Sequence, residues 1–335
     1  MERKITMKIE DKKIMVTGAG GFIGSHLVEK LVRLGSRVKC FVRYNSRGDF
    51  GFIETLPLDI RESLEVISGD LRDYNAVYDA SKGVEVIFHL GALISIPYSY
   101  IHPRENIETN VIGTFNVLSA ARENGIIKIV HTSSSEVYGT AQYVPIDEKH
   151  MLQGQSPYSA SKIGADKIAE SFYLSFGLPV ATIRPFNTFG PRQSTRAVIP
   201  TIITQALTKE KILLGSLHPT RDYTYVQDLI EAFIKMAKSP DSIGEVVNVG
   251  SNYEISIGDL AKKIIGLTGR NVEIANDPAR LRPANSEVER LWCNNIKAKK
   301  LLDWEPKISL DTGLKETIEW ISTRINNYKT DIYSV

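Results

Sequence analysis

The stretch that decides the fold is Lys13-Ile14-Met15-Val16-Thr17-Gly18-Ala19-Gly20-Gly21-Phe22-Ile23-Gly24. A short apolar run stops at a glycine cluster, and from Phe22 apolar residues recur at helical spacing until Gly35. That is a strand, a glycine turn and a helix. Gly18, Gly21 and Gly24 permit a tight turn. They also let backbone N–H groups at the helix start, at Phe22 and Ile23, approach a pyrophosphate. The spacing alone would also suit a turn needed only for packing. Its place between a strand and a helix favours dinucleotide binding.

Working outward, the run 38–42 reads as the second strand, and it ends in Val42-Arg43-Tyr44-Asn45-Ser46-Arg47 with no carboxylate before Asp49. An acid at that point would take the ribose 2′-hydroxyl of NAD. Arg43, with Arg47, suits a 2′-phosphate instead, so the expected cofactor is NADP; if Arg43 stacks on adenine, NAD remains possible. A third strand, 64–68, ends in Gly69-Asp70-Leu71. Asp70 is placed to accept the adenine amino group or to cap the helix that starts near Asp73. A fourth strand over 84–90 runs through Leu90 into Gly91 and Ala92, small enough to admit a cofactor. A helix over 105–122 contains Asn110, read as a buried organiser of hydrogen bonds.

Strands continue at 128–132 and 180–184 around a helix over 156–176. This alternation predicts an α/β fold, a doubly wound parallel sheet of Rossmann type with a smaller, discontinuous C-terminal substrate lobe. The boundaries expected are 1–184 with about 222–250 for the dinucleotide-binding domain, where 244–250 returns to the main sheet. Residues 185–221 and 251–335 make the lobe.

Chemistry concentrates just beyond the strand at 128–132, in Thr132-Ser133-Ser134-Ser135-Glu136-Val137-Tyr138-Gly139, and in Tyr158 with Lys162. Residues four apart on a helix share a face, so the ammonium is expected beside the phenol, favouring the phenolate. Ligands of parallel sheets bind at the carboxyl ends of strands, which puts Ser134, Ser135 and Glu136 in the same place. Ser133 reads as cofactor-side or structural. Arg192, Arg221 and Arg282 lie near turns in the lobe; each alone suits a solvated surface, and together they suit a diphosphate.

Composition excludes several classes. A net charge of +2 on 335 residues gives no electrostatic case for nucleic acid or a membrane surface. Cys40 and Cys293 form no zinc spacing, no metal site is expected, and so few cysteines suit a reducing cytoplasm. The charged opening 1–13 has no signal-peptide core. The uncharged run 86–103 is long enough for a membrane span, but its histidines and prolines favour a buried strand entering a pocket loop.

Taken together, Gly18, Gly21, Gly24, Asp70, Asn110, the serine-rich strand end, Tyr158 with Lys162, and Arg184-Pro185-Phe186-Asn187 with Gly190-Pro191 resemble an extended short-chain dehydrogenase/reductase from about Lys13 to about Trp320. The resemblance implies a nucleotide-sugar substrate and Tyr158 and Lys162 as the hydride-transfer pair. It implies a nucleotide-diphosphate site lined by Asn187, Arg221, Arg282 and Glu287, and a homodimer formed through the helices 105–122 and 156–176. Ser134-Ser135-Glu136 is similar to the 4,6-dehydratases of the GDP-mannose type, whereas 4-epimerases commonly carry Thr or Ser where Glu136 stands. UDP-glucuronate decarboxylases share the Ser-Glu-Val-Tyr-Gly segment, so the glutamate does not separate them.

Longer segments, Gln153-Gly154-Gln155-Ser156-Pro157-Tyr158 and Ser286-Glu287-Val288-Glu289-Arg290-Leu291-Trp292-Cys293 among them, resemble the NDP-N-acetylglucosamine 4,6-dehydratases of legionaminic acid biosynthesis. The expected reaction oxidises C4, eliminates water across C5 and C6 through Glu136, and returns hydride to C6, with GDP or UDP as carrier. A 4-epimerase or decarboxylase is the alternative enzyme. A non-catalytic NADP sensor is the alternative outside enzymes, and it would have no use for Tyr158, Lys162 and Glu136 together.

Overall fold

The run 13–17 forms strand β1 (Lys13–Thr17), buried along all but its first residue. Five more strands lie parallel with it: β2 (Arg37–Arg43), β3 (Glu65–Gly69), β4 (Val86–His89), β5 (Lys128–Thr132) and β6 (Val180–Pro185). Their order is β6-β5-β4-β1-β2-β3. The chain builds outward from β1 to β3, then crosses back to place β4 on the other side of β1. The loops that leave β1 and β4 therefore part in opposite directions, and a crevice opens over their carboxyl ends. This computed structural model describes residues 7–328; part of the charged opening, 1–6, lies outside the described residues.

The helices of this half are α1 (Phe22–Arg33), α2 (Leu58–Glu62), α3 (Tyr74–Ser81), α4 (Ile96–Ile101), α5 (Pro103–Ile107), α6 (Gly113–Glu123) and α7 (Pro157–Phe176). The single helix expected over 105–122 is α5 and α6 joined by a π turn, Glu108–Ile112. Such a wide turn often marks a functional place, and here it carries Asn110. In α7, Ser156 and Ser159 form a reciprocal capping box, Pro157 fills the first turn, and Gly177 ends the helix at φ +66°. Tyr158, Ser161, Lys162, Ala165, Asp166, Ala169 and Phe172 are its buried face, spaced three and four apart. The uncharged run 86–103 is β4, a loop and α4, and no helix among the described residues is long and apolar enough to cross a membrane.

After β6 the chain alternates between two layers. It forms β7 (Asn187–Phe189), α8 (Val198–Thr208), β8 (Lys211–Leu214) and β9 (Thr220–Tyr225), and then α9 (Val226–Lys238) and β10 (Val246–Val249). β10 pairs with β6 and makes the main sheet seven-stranded, while α9 packs beneath β5 and β6. The return to the large layer therefore starts at Val226 rather than near 222, because 220–225 belong to a second sheet. There β9 lies between β7, parallel, and β11 (Glu254–Ser256), antiparallel. The remainder is α10 (Ile257–Thr268), β12 (Glu273–Asn276) paired with β8, α11 (Ile296–Leu302) and α12 (Leu310–Ser322). One large apolar core runs under the sheet into this lobe, and burying each Leu-, Ile- or Phe-sized side chain there contributes about 1.5–3 kcal/mol.

Candidate active site

The crevice over β1 and β4 is shaped by glycine. Gly18 adopts φ +70°, and a Cβ there would come within 2.9 Å of the Gly91 backbone, so the two loops touch. At Gly24 a Cβ would stand 2.2 Å from the Gly18 carbonyl oxygen, so only glycine lets α1 start this close to the turn. Gly21 is the N-cap of α1 and has no side chain over the free N–H groups of the first turn, at Phe22 and Ile23. The loop after β4 is fastened by Thr17, whose Oγ1 accepts from the Leu90 and Gly91 N–H groups at 3.1 and 3.0 Å. Asn110 fixes the next turn: its Oδ1 accepts from the Leu93 N–H at 2.8 Å, and its Nδ2 donates to the Leu93 carbonyl and to Ser161. Leu71 closes the floor against Gly91 and Gly113, with the partly buried Ala92 following in the same loop. A bare helix start above a cradle that any Cβ would fill suits a dinucleotide pyrophosphate.

Two edge residues are already engaged. Arg43, exposed at the end of β2, pairs with Glu105 at 3.2 Å. Asp70 takes the backbone N–H and guanidinium of Arg72, the closest contact being 2.6 Å, which holds its carboxyl below the usual range. Asp73, not Asp70, caps α3 by accepting from Asn75 and Ala76, so the capping reading of Asp70 is corrected.

At the end of β5 the chain passes Ser134 in an extended conformation and tightens into a 3-10 turn, Ser135–Tyr138. Ser134 Oγ accepts from the Glu136 N–H at 3.2 Å, and its hydroxyl is the one influence that lowers the Tyr158 phenol. Ser135 and Glu136 are both buried. Lys162 donates to the Thr132 carbonyl at 2.6 Å, tying α7 to the strand end. The expected depression of the phenol by the neighbouring ammonium is not what this geometry gives. Burial pushes Tyr158 up to about 12; the Ser134 hydroxyl opposes this, and the charges of Glu136 and Asp166 add to it. Burial also brings Lys162 down to about 8, with Asp166 alone opposing. Desolvation outweighs the i, i+4 neighbour because the ammonium is aimed at a carbonyl.

Beneath these groups lies a polar network that the sequence reading missed. Asp166 accepts from Arg184 at 2.9 and 3.1 Å, from Ser133 Oγ at 2.7 Å and from His131 Nε2 at 3.1 Å. Arg184 also donates to the Tyr138 hydroxyl, which donates to Asn248 on β10. Ser133 is thereby structural. One signal was available: Asp166 follows Lys162 by four on the buried face of α7, where an unpaired carboxylate is not tolerated.

On the lobe side, Glu287 Oε1 accepts from Arg221 at 3.4 Å and Arg282 at 3.5 Å. Asn187, on β7 beside Tyr223 in register, has a buried Oδ1 without a protein partner. The structure thus joins Arg221, Arg282 and Glu287. It does not bring Arg192 to them. That guanidinium pairs with Glu29 on α1 at 2.6 Å and lies over Trp320 on α12, which corrects its grouping with the other two arginines. Among the described residues no group of His, Cys, Asp and Glu is arranged to hold a metal ion.

Against known proteins, the family model described as GDP-mannose 4,6 dehydratase matches residues 15–317. The chain is 30% identical to a human dTDP-D-glucose 4,6-dehydratase, over 95% of this chain and 92% of that protein. It is 33% identical to a UDP-glucose 4-epimerase of Mycolicibacterium smegmatis, over 93% and 99%. DesIV, a dTDP-glucose 4,6-dehydratase from Streptomyces venezuelae solved with NAD and TYD bound, superposes with a TM-score of 0.85 at 26% identity, covering 95% of this chain and 99% of that one.

Proposed function

The chain belongs to the extended short-chain dehydrogenase/reductase family, in the group that the GDP-mannose 4,6-dehydratase model describes, and from that premise we propose that it is a nucleotide-sugar 4,6-dehydratase, a hydro-lyase. The observation that carries this reading is Glu136, a carboxylate buried at the end of β5 in the turn that Ser134 caps, its charge felt by the Tyr158 phenol. Oxidation and reduction at C4 need Tyr158 and Lys162 alone; a third acid–base group suits removal of a proton elsewhere on the sugar. The narrower resemblance of the 153–158 and 286–293 segments supports an NDP-N-acetylglucosamine substrate, carried by GDP or UDP, in legionaminic acid biosynthesis.

An oxidised nicotinamide dinucleotide, which the Gly18–Gly24 turn and the start of α1 would hold, would supply positive charge and the acceptance and return of hydride. Tyr158 removes the C4 hydroxyl proton, and the Ser134 hydroxyl, which favours the ionised phenol, holds O4 in line. Lys162, anchored on Thr132, supplies the second positive charge that a phenol held near 12 requires. The C4 ketone acidifies the C5 hydrogen. Glu136 takes that proton and returns it to the departing C6 hydroxyl, so that water leaves and the carboxylate is restored; as hydride comes back to C6, C5 regains a proton, which balances the one Tyr158 took from O4. Ser135 supports the C6 oxygen. Arg221 and Arg282, oriented by Glu287, hold the nucleotide diphosphate, and the unpartnered Asn187 Oδ1 accepts from a donor elsewhere on the substrate, since the diphosphate offers none.

The test is mass spectrometry after incubation with GDP- and UDP-N-acetylglucosamine and their glucose and glucuronate counterparts. Loss of one water supports the dehydratase. An isomer of unchanged mass would support the second reading, a 4-epimerase, which the M. smegmatis relative favours; loss of carbon dioxide would sink both.

NADP is the proposed cofactor, supported by Arg43 and by the absence of an acid at the end of β2. Arg43→Ala should weaken NADP binding roughly 10- to 100-fold, the worth of one charge-assisted hydrogen bond, and leave NAD nearly unchanged. Titration with both dinucleotides reads this. Equal loss for both would mean that Arg43 only stacks on adenine. A homodimer through 105–122 and 156–176 is supported by the exposed Ile107, Ile112, Phe115, Leu174 and Phe176 on those helices. The two cysteines are free and buried, which supports a cytoplasmic enzyme.

A further inference from the structure

Two segments singled out by their sequence, 153–158 and 286–293, have no assigned part in the chemistry beyond Tyr158 and Glu287. The structure welds them together. Gln155 Oε1 accepts from the Thr140 N–H, and its Nε2 donates to the carbonyls of Asn285 at 3.3 Å and Glu287 at 3.2 Å. Ser286 Oγ donates back to the Gln155 carbonyl and meets the Tyr100 hydroxyl at 2.7 Å. Thr140 Oγ1 accepts from the Glu289 N–H at 3.1 Å. One side-chain amide thus uses its acceptor on one side of the cleft and both donors on the other.

The positions of these partners decide what the contact does. Gln155 is three residues before Tyr158, and Thr140 is four after Glu136. Gln153 N–H also donates to the Val137 carbonyl at 2.8 Å, so the segment before α7 and the turn bearing Glu136 move as one piece. Across the cleft, Glu287 holds Arg221 and Arg282. Gln155, beside the direct contacts of Thr140 with Glu287 and Glu289, therefore joins the nucleotide end both to the turn of Glu136 and to the start of α7.

We infer that Gln155 is a positioning residue: its amide transmits the seating of a nucleoside diphosphate at Glu287 to the turn of Glu136 and the start of α7. The inference rests on the proposed roles of those residues. Binding energy from a remote, non-reacting part of a substrate is available to orient the reacting groups. A rigid hydrogen-bonded joint is a direct physical route for it. Glutamine is required because one end must accept and the other must donate.

Gln155→Glu separates the two halves. It keeps an acceptor for Thr140 and sets a carboxylate against two carbonyl oxygens in place of the donor. Hydrogen exchange of the holoenzyme with and without saturating UDP or GDP is the measurement. In the wild type, nucleotide should slow exchange both at 282–289 and at 139–162. In Gln155→Glu the first effect should persist and the second vanish, while kcat falls about 10- to 100-fold, the scale of a small misplacement of reacting groups. Nucleotide affinity should stay within about threefold of wild type, a loss of turnover without a loss of binding.

Protection at 139–162 that survives in the variant overturns the inference, and so does loss of both effects together, which would make Gln155 part of the nucleotide site itself. If the glutamate variant does not fold, Gln155→Ala removes the amide altogether, and unaltered coupling in it likewise overturns the inference. The exchange arm needs no turnover. It therefore stands or falls apart from the dehydratase reading, which the mass panel decides.

Discussion

Replacing Glu136 with glutamine should slow water elimination by at least about 10²- to 10⁴-fold while oxidation at C4 remains measurable. The two side chains have nearly the same shape, so the 3-10 turn and the bond from the residue-136 N–H to Ser134 Oγ survive the change. What is lost is the capacity to take a proton from C5 and give it to the leaving hydroxyl. The C4 step loses no base, because Tyr158 and Lys162 are untouched. The negative charge of Glu136 is one of the influences that raise the phenol, so its removal eases ionisation of Tyr158. A single turnover followed at the absorbance of reduced nicotinamide should therefore show reduction that is not followed by reoxidation. Product mass would show no lost water. A normal rate of 4-keto-6-deoxy sugar formation by this variant would remove Glu136 from the mechanism, and with it the main reason for preferring a dehydratase to an epimerase.

How much of this was legible in the sequence depends on the range of each signal. The glycine turn, α1 and the parallel strands are local patterns of period two and 3.6, and they appear within a residue or two of where periodicity places them. The grouping of Ser134, Glu136, Tyr158 and Lys162 follows from two such patterns and the rule that ligands meet strand ends. The direction of the Lys162 ammonium does not, since helical spacing states which face a side chain leaves from and not which carbonyl it finds. The π turn at Glu108–Ile112 is equally silent, because it keeps the helix going while shifting its register.

Partners far apart in the chain were beyond reach. Arg192 finds Glu29 because the loop after β7 folds down onto α1. Gln155 meets Glu287 only because the lobe closes over the start of α7. Glu29 and Gln155 read as solvated side chains until the tertiary fold supplies their neighbours.

The largest stability effect is expected at Asp166, a residue that touches no substrate. Asp166→Ala should cost about 3–5 kcal/mol, because it strips the counter-charge from a buried guanidinium. Arg184 is 4% exposed and donates twice to this carboxylate; its remaining side-chain bond, to the Tyr138 hydroxyl, carries no charge. Ser133 and His131 lose their acceptor as well. Burial by itself would raise the carboxyl, yet the donors from His131, Arg184 and Ser133 bring it down to about 2 from an ordinary 3.8. A folded value below the unfolded one means that this stabilisation is fully present above about 4 and is lost as the pH falls through about 2. At neutral pH the wild type holds all of it.

Urea denaturation at pH 7 should therefore shift the midpoint of the alanine variant sharply. Asp166→Asn, which keeps the shape but not the charge, should fall between the two. The chemistry should register the loss too: Asp166 is the one influence opposing the burial that lowers Lys162 to about 8, so without it the ammonium titrates at a still lower pH. The alkaline limb of the rate profile should move to lower pH in whatever fraction of Asp166→Asn remains folded. An alanine variant as stable as wild type would show that solvent reaches Arg184, and that the network beneath β5 is not what holds α7, with Tyr158 and Lys162, against the sheet.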